Sequence, residues 1–218
     1  EIGSITKVFT GILLAEAIRR GEVKLDDPIS KHLPKAVKVP VFDGKEITLV
    51  DLATHSSGLP RLPVNFSPKD PLNPYADYSA QNAYDFLSDH KLTREIGKTY
   101  EYSNFGVGLL GHILSLKAKL MFEQRVSSRI LKPLKMNDTS LNLPAAKKPR
   151  HAQGLNEKND PTSDWYWDSL AGAGALRTTT TDMAKFISAN LGLTKTSLSQ
   201  SLIEARKMLR KGEHEAIQ

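Results

Sequence analysis

Gly3-Ser4-Ile5-Thr6-Lys7-Val8-Phe9-Thr10-Gly11 opens the clearest apolar-periodic segment of the chain. Apolar residues recur at Ile5, Val8, Phe9, Ile12, Leu13 and Ile18, close to the period of ~3.6 of an α-helix. The spacing predicts a helix from Ser4 to Arg20, closed by Gly21, and the scarcity of charge before Arg19 predicts that most of it is buried. Ser4 and Lys7 then share one face. A serine hydroxyl is a poor nucleophile until a neighbour takes its proton. A lysine with a lowered pKa can do so, or can hold another base deprotonated. The helix N-terminus adds backbone N–H groups where an oxyanion could form. The same Ser-x-x-Lys spacing recurs at Ser88-Asp89-His90-Lys91. There it lies at the polar end of an amphipathic segment and reads as solvated surface.

Working outward, the next chemically loaded stretch is Tyr102-Ser103-Asn104. A tyrosine whose pKa is lowered by a nearby lysine can act as a general base. An asparagine two residues on can donate to a substrate carbonyl and accept from Lys7. The plain alternative is a turn leading into a glycine-rich helix. That helix, expected over Phe105–Lys119, carries Gly106, Gly108 and Gly111, each costing about 1 kcal/mol of helicity against alanine. Such a cost is accounted for by close packing against a neighbour.

The remaining pattern predicts mostly helix. Thr48 caps a short helix over Leu49–Thr54, and a Pro-, Asn- and Ser-rich loop runs from Ser56 to Asp77. Helices are expected over Ala80–His90, Phe122–Ile130 (stopped before Pro133), Thr181–Leu191 and Ser199–Leu209, with a loop over Leu141–Trp165. Clear strands are scarce.

Composition narrows the class. The 218 residues are 39% hydrophobic and 25% charged, with a net charge of +6 and no cysteine, which excludes disulfide and thiol chemistry. No stretch has the length of a membrane span, so no integral membrane segment is expected. The dense basic run Lys147-Lys148-Pro149-Arg150-His151 has no interleaved aromatics, so a nucleic-acid partner is not expected. The six histidines show no ligand-pair spacing, so no metal is expected either. No Gly-x-Ser-x-Gly elbow occurs. Trp165-Tyr166-Trp167 reads as a pocket wall or as an anchor of its loop on the core, and Glu213-His214-Glu215 as a solvated end.

Taken together, these stretches resemble the class C β-lactamase-like, penicillin-binding serine hydrolases. The resemblance rests on Gly3–Gly11, Gly21–Pro28, Leu52-Ala53-Thr54-His55-Ser56-Ser57-Gly58-Leu59-Pro60, Tyr102–Gly111, Pro133–Thr139, Gly172–Thr179 and Asp182-Met183-Ala184, in the family's order. It implies an α/β (α+β) β-lactamase/transpeptidase-like fold, a helical subdomain packed on an antiparallel sheet. It implies that Ser4 forms an acyl-enzyme, with Lys7 as base or electrostatic partner, Tyr102 as base or proton relay and Asn104 as the ligand of the substrate amide. The Ser4 backbone N–H would form half of an oxyanion hole. No cofactor is implied. The implied substrates are small molecules or peptides: a β-lactam first, with peptidyl-D-alanine or an ester as alternatives, and a non-catalytic penicillin-binding-like module as the alternative of another class.

Two departures stand out. The family's third motif, Lys-Thr-Gly or His-x-Gly, is absent from the chain. Residues 1–218 are therefore expected to be one such domain lacking its N- and C-terminal sheet segments, with apolar surface left exposed. The second motif carries Ser103 where many class C β-lactamases carry alanine, a tilt toward peptidase or esterase relatives. The family also implies a periplasmic or secreted location.

Overall fold

The computed structural model describes residues 1–207 and 209. Seven α-helices appear in it: α1 (Thr6–Arg19), α2 (Leu49–Ala53), α3 (Ala80–Asp89), α4 (Asn104–Ala118), α5 (Phe122–Val126), α6 (Thr180–Asn190) and α7 (Ser199–Ala205). The sheet among the described residues is one antiparallel hairpin, β1 (Val41–Phe42) and β2 (Lys45–Glu46). Its turn residues Asp43 and Gly44 have φ of 47° and 75°, the left-handed pair that a tight two-residue hairpin requires.

The core is built around α1 and α4. Phe9 and Leu13 on one, and Phe105, Leu109 and Ile113 on the other, are wholly buried. Phe9 also stacks on Phe186 at 4.3 Å, which ties α6 to α1. The glycines of α4 explain themselves by proximity. A Cβ on Gly108 would lie 2.7 Å from Leu170, and one on Gly111 would lie 3.0 Å from the Gly172 Cα. Helix α4 thus meets the 170–174 segment backbone to backbone. Burying a glycine-rich helix offsets its weak intrinsic propensity.

Most helix boundaries follow the expected signals. Gly21 follows α1 at φ 68°, as a left-handed C-terminal stop. Thr48 and Asp51 form a reciprocal cap on α2, and Ser79 and Asn82 do so on α3. Helix α5 runs on through a wider π-turn over Ser127–Leu131, where Lys132 N–H donates to Ser127 O at 2.9 Å, before Pro133 ends it.

Two expectations are corrected, and one segment read as mostly loop is refined. Ser4 lies in a 3₁₀ turn (Gly3–Ile5) that precedes α1, because Gly3 at φ 50° turns the chain there. Helix α7 stops at Ala205 instead of reaching Leu209, while Glu213-His214-Glu215 lies outside the described residues. The Leu141–Trp165 loop contains a 3₁₀ turn over Ala145–Arg150, which places its basic run against an acid: Lys147 and Arg150 both pair with Asp138, at 3.4 and 2.7 Å.

The apolar stripe that starts at Ile5, in the 3₁₀ turn, and continues along α1 is also not buried throughout. Ile5 and Val8 are 46% and 50% exposed. Val8 borders an apolar groove of about 490 Å³ between α1 and α7, with Ile12, Ala15 and Ile18 along its floor. No single helix among the described residues is long and apolar enough to cross a membrane.

Candidate active site

Three chain segments converge at the N-terminus of α1. The first is the 3₁₀ turn with Ser4, leading directly to Lys7. The second is the 172–176 segment, which runs alongside α1 and is tied to it by side chains and backbone. Thr10 hydroxyl donates to Gly172 O at 2.8 Å, Leu176 N–H donates to Thr6 Oγ1 at 3.1 Å, and Ile2 N–H donates to Leu176 O at 3.0 Å. Thr6 and Thr10 are wholly buried, so these bonds satisfy hydroxyls that water cannot reach.

The third segment is the entry to α4. Ser103 caps the helix, accepting Gly106 N–H at 2.8 Å, and its hydroxyl donates to Pro60 O at 2.6 Å. Its own N–H donates to His55 Nδ1 at 2.9 Å. Fixing Ser103 in this way fixes Tyr102 and Asn104 on either side of it.

All four residues singled out by the sequence meet. Lys7 Nζ donates to Ser4 Oγ at 3.2 Å, to Asn104 Oδ1 at 2.9 Å and to Ala173 O at 2.6 Å. Tyr102 hydroxyl donates to Ser4 Oγ at 2.6 Å. The Ser4 oxygen therefore accepts from both Lys7 and Tyr102. Asn104 Nδ2 donates to the Tyr75 hydroxyl at 3.1 Å, so both ends of its amide are engaged. Ser88, by contrast, donates to Tyr84 O at 2.8 Å and accepts from Lys38 N–H at 3.2 Å, 50 positions away in sequence, well removed from this cluster's bonds.

The electrostatics follow from burial and from two cations. Burial pushes the Lys7 ammonium below the ordinary lysine range, with the nearby Tyr102 opposing part of the shift. Burial alone would raise the Tyr102 phenol. Its contacts with Lys7 and Ser4, and the charges of Lys7 and Arg61, more than offset that and lower it. The Lys7 ammonium lies 4.8 Å from the centre of the Tyr102 ring and the Arg61 guanidinium 5.4 Å from it.

Four participants were not evident from spacing: His55, Arg61, Tyr75 and Ala173. His55 sits within the quoted Leu52–Pro60 stretch, yet nothing in its spacing shows where the ring goes. Ala173 contributes a backbone oxygen, which carries no side-chain signal at all. Of the two readings of the aromatic cluster, the anchor on the core is the one its contacts support. Trp167 stacks on Tyr75 at 3.7 Å and is packed against the core, while Trp165 is 40% exposed and its N–H donates to Glu1. His112 is a partnered boundary histidine, 2.6 Å from the Tyr84 hydroxyl. Among the described residues no group of three or more His, Asp or Glu is placed to hold a metal ion.

A serine, a lysine one turn on and a tyrosine from a distant segment, around a helix start, is the arrangement of the serine hydrolases of the β-lactamase/transpeptidase fold. The chain belongs to the Beta-lactamase family, whose model matches residues 1–215. It is 34% identical over 192 residues to a protein named Beta-lactamase from Escherichia coli K12, covering 88% of this chain and 47% of that protein. It is 35% identical over 140 residues to the D-alanyl-D-alanine-carboxypeptidase/endopeptidase AmpH of Escherichia coli K12, covering 64% of this chain and 36% of that one. Among solved structures it is similar to a β-lactamase/D-alanine carboxypeptidase from Yersinia pestis complexed with citrate. That match has a TM-score of 0.82 and 28% identity, and covers 97% of this chain and 59% of the other. The chain thus spans about half the length of such relatives, and the expected fold is theirs.

Proposed function

We propose that this chain carries the acylating half of a serine hydrolase that opens β-lactam amides through an acyl-enzyme on Ser4. One observation carries the reading: Ser4 Oγ accepts hydrogen bonds from both Tyr102 and Lys7, at 2.6 and 3.2 Å. A hydroxyl held between a lysine and a phenol of lowered pKa is poised to lose its proton.

The proton route is assigned as follows. As an ammonium, Lys7 gives its three N–H groups to Ser4, Asn104 and Ala173, which leaves no lone pair to accept with. For the step itself Tyr102 first gives its own proton to solvent, which its lowered pKa favours; as phenolate beside that cation it then accepts from Ser4 Oγ, reversing the donation of the phenol form, and takes the Ser4 proton as Oγ attacks the carbonyl carbon. The same phenol then returns the proton to the departing amide nitrogen, which leaves an ester on Ser4 and a neutral amine. Lys7 and Arg61 stabilise the phenolate before it takes the proton and again once it has returned it. Asn104 binds the substrate amide and the Ser4 N–H faces the oxyanion. Water completes the turnover by hydrolysing the ester.

A D-alanyl-D-alanine carboxypeptidase or an esterase uses the same first step. Ser103 in the second motif and the likeness to AmpH favour keeping the peptidase as the second reading. A module without chemistry is disfavoured by the four residues meeting as they do. We further propose that residues 1–218 form part of one such domain in a periplasmic or secreted protein.

Intact-protein mass spectrometry of the full-length protein with a penicillin tests this. A transient adduct on Ser4 with accumulating hydrolysed drug is the expected result. A lasting adduct would favour the peptidase, and no adduct would overturn the β-lactam reading and send the search to esters. Ser4→Ala is expected to abolish the adduct with the fold unchanged by circular dichroism, whereas Ser88→Ala leaves the rate of adduct formation as it was.

A further inference from the structure

His55 touches three successive residues around the proposed base. Its backbone oxygen accepts Glu101 N–H at 2.8 Å. Its ring lies nearly face to face with the Tyr102 ring, centroids 4.6 Å apart and planes 27° apart. Its Nδ1 accepts Ser103 N–H at 2.9 Å. The Tyr100 ring also meets it, edge-on, with centroids 5.6 Å apart. The residue itself sits at φ 55°, a left-handed conformation uncommon outside glycine, which histidine is among the residues to tolerate.

We propose that His55 is a positioning residue, which clamps the Glu101-Tyr102-Ser103 backbone and braces the Tyr102 ring so that the phenol oxygen is held against Ser4. The inference rests on the proposed role of Tyr102. Two functions of the one side chain are separable. The Nδ1 lone pair fixes the peptide between Tyr102 and Ser103, and the ring face limits the side-chain angle of Tyr102. Accepting through Nδ1 requires that this nitrogen carry no proton. Burial first, and the Lys7 charge second, push the imidazole down to about 4, so it is neutral around neutral pH and free to accept. Ser103 provides the opposing restraint through its hydroxyl bond to Pro60 O at 2.6 Å. The second motif is thereby gripped from the 55–60 loop at two points.

The test compares three full-length proteins. His55→Phe keeps a ring against Tyr102 but offers no acceptor. His55→Asn offers Oδ1 near the place of Nδ1 and tolerates the left-handed backbone, but has no ring. The rate of Ser4 acylation by a chromogenic cephalosporin is measured alongside KM and the melting temperature. His55→Phe is expected to slow acylation ~100-fold with KM nearly unchanged, since a misplaced reacting group costs rate before binding. His55→Asn is expected to recover to within ~10-fold of the parent. Acylation by His55→Phe at the parent rate overturns the inference, and so does a His55→Asn protein no faster than His55→Phe. Should His55→Phe not fold, His55→Ala takes its place with the same thresholds. Absence of any Ser4 adduct in the parent protein would defeat the proposed function instead. The clamp is then decided by hydrogen exchange at the Ser103 amide: faster in His55→Phe and restored in His55→Asn if the clamp exists, equal in all three if it does not.

Discussion

At the scale of single residues, the site is a network of hydrogen bonds in which one atom serves several partners: Lys7 Nζ has three, and Ser4 Oγ and Ser103 Oγ have two each. Tyr75 shows what that implies. Its hydroxyl is the acceptor for Asn104 Nδ2, and the opposite end of that amide accepts from Lys7. Tyr75→Phe keeps the stack on Trp167 but frees the asparagine to flip. A lost neutral hydrogen bond of about 0.5–1.5 kcal/mol corresponds to a roughly 2- to 12-fold fall in kcat/KM, expected mainly as a raised KM. Steady-state kinetics on the purified variant check it. The four residues proposed to carry the chemistry, which meet in the structure, could be picked out in the sequence because serine, lysine, tyrosine and asparagine announce their reactivity by type. Tyr75, Arg61 and His55 were not. Their importance lies in contact made across 29 to 48 positions, where these separate Asn104 from Tyr75 and Ser103 from His55, and no local pattern encodes that. Ala173 could not be read at all, since any residue offers the same carbonyl.

At the scale of elements, the crossing of α4 with the 170–174 segment controls the site from behind. Gly111→Ala puts a methyl 3.0 Å from the Gly172 Cα and 3.1 Å from the Phe122 ring, and backbone cannot swing aside as a side-chain tip can. Overpacking of this kind costs about 1–3 kcal/mol. The displaced segment also carries Ala173 O, the acceptor of Lys7, so activity is expected to fall further than stability alone accounts for. Denaturant melts and acylation rates on the same variant separate the two effects. The turn that follows α1 carries a second testable restraint. Lys31 first, then the Lys24 N–H and His32, hold the Asp27 carboxyl down to about 2 from its ordinary 3.8, despite burial opposing them. A depressed folded-state pKa gives stability that is present above the ordinary value and is lost as pH falls through the folded one. The melting temperature is expected to decline between about pH 4 and about pH 2. Asp27→Asn lowers stability by about 1–3 kcal/mol near neutrality, and its deficit against the parent closes toward the acid end. Helix spans were legible here because caps and glycine stops are local. The 3₁₀ entry at Ser4 was less so, as periodicity alone does not distinguish a tight turn from the first turn of α1.

At the scale of the whole molecule, the described residues form the helical side of a fold whose relatives are about twice as long. The family was legible because seven separate stretches occur in one order. The exposed part of the α1 stripe was harder to foresee, for periodicity marks which residues share a face but not what lies against it. Ionic ties away from the site join distant elements. Arg125, 1% exposed, donates to Glu22 at 2.6 Å, Arg129 reaches both Glu22 and Glu16, and Glu16 accepts from Ser201 on α7 at 2.8 Å. This cluster links α1, α5 and α7 as the aromatic core links α1, α4 and α6.

The reach of Lys7 also has a temporal meaning. Its partners Asn104 and Ala173 lie 97 and 166 positions along the chain, so the cluster closes only after widely separated stretches have docked. The backbone hydrogen bonds of a helix such as α1 join residues four apart and form sooner. During refolding from denaturant, Ser4 is expected to become reactive toward an added phosphonate label only after the far-ultraviolet helical signal has recovered. Superimposable time courses would instead mean that reactivity is born with the first helices.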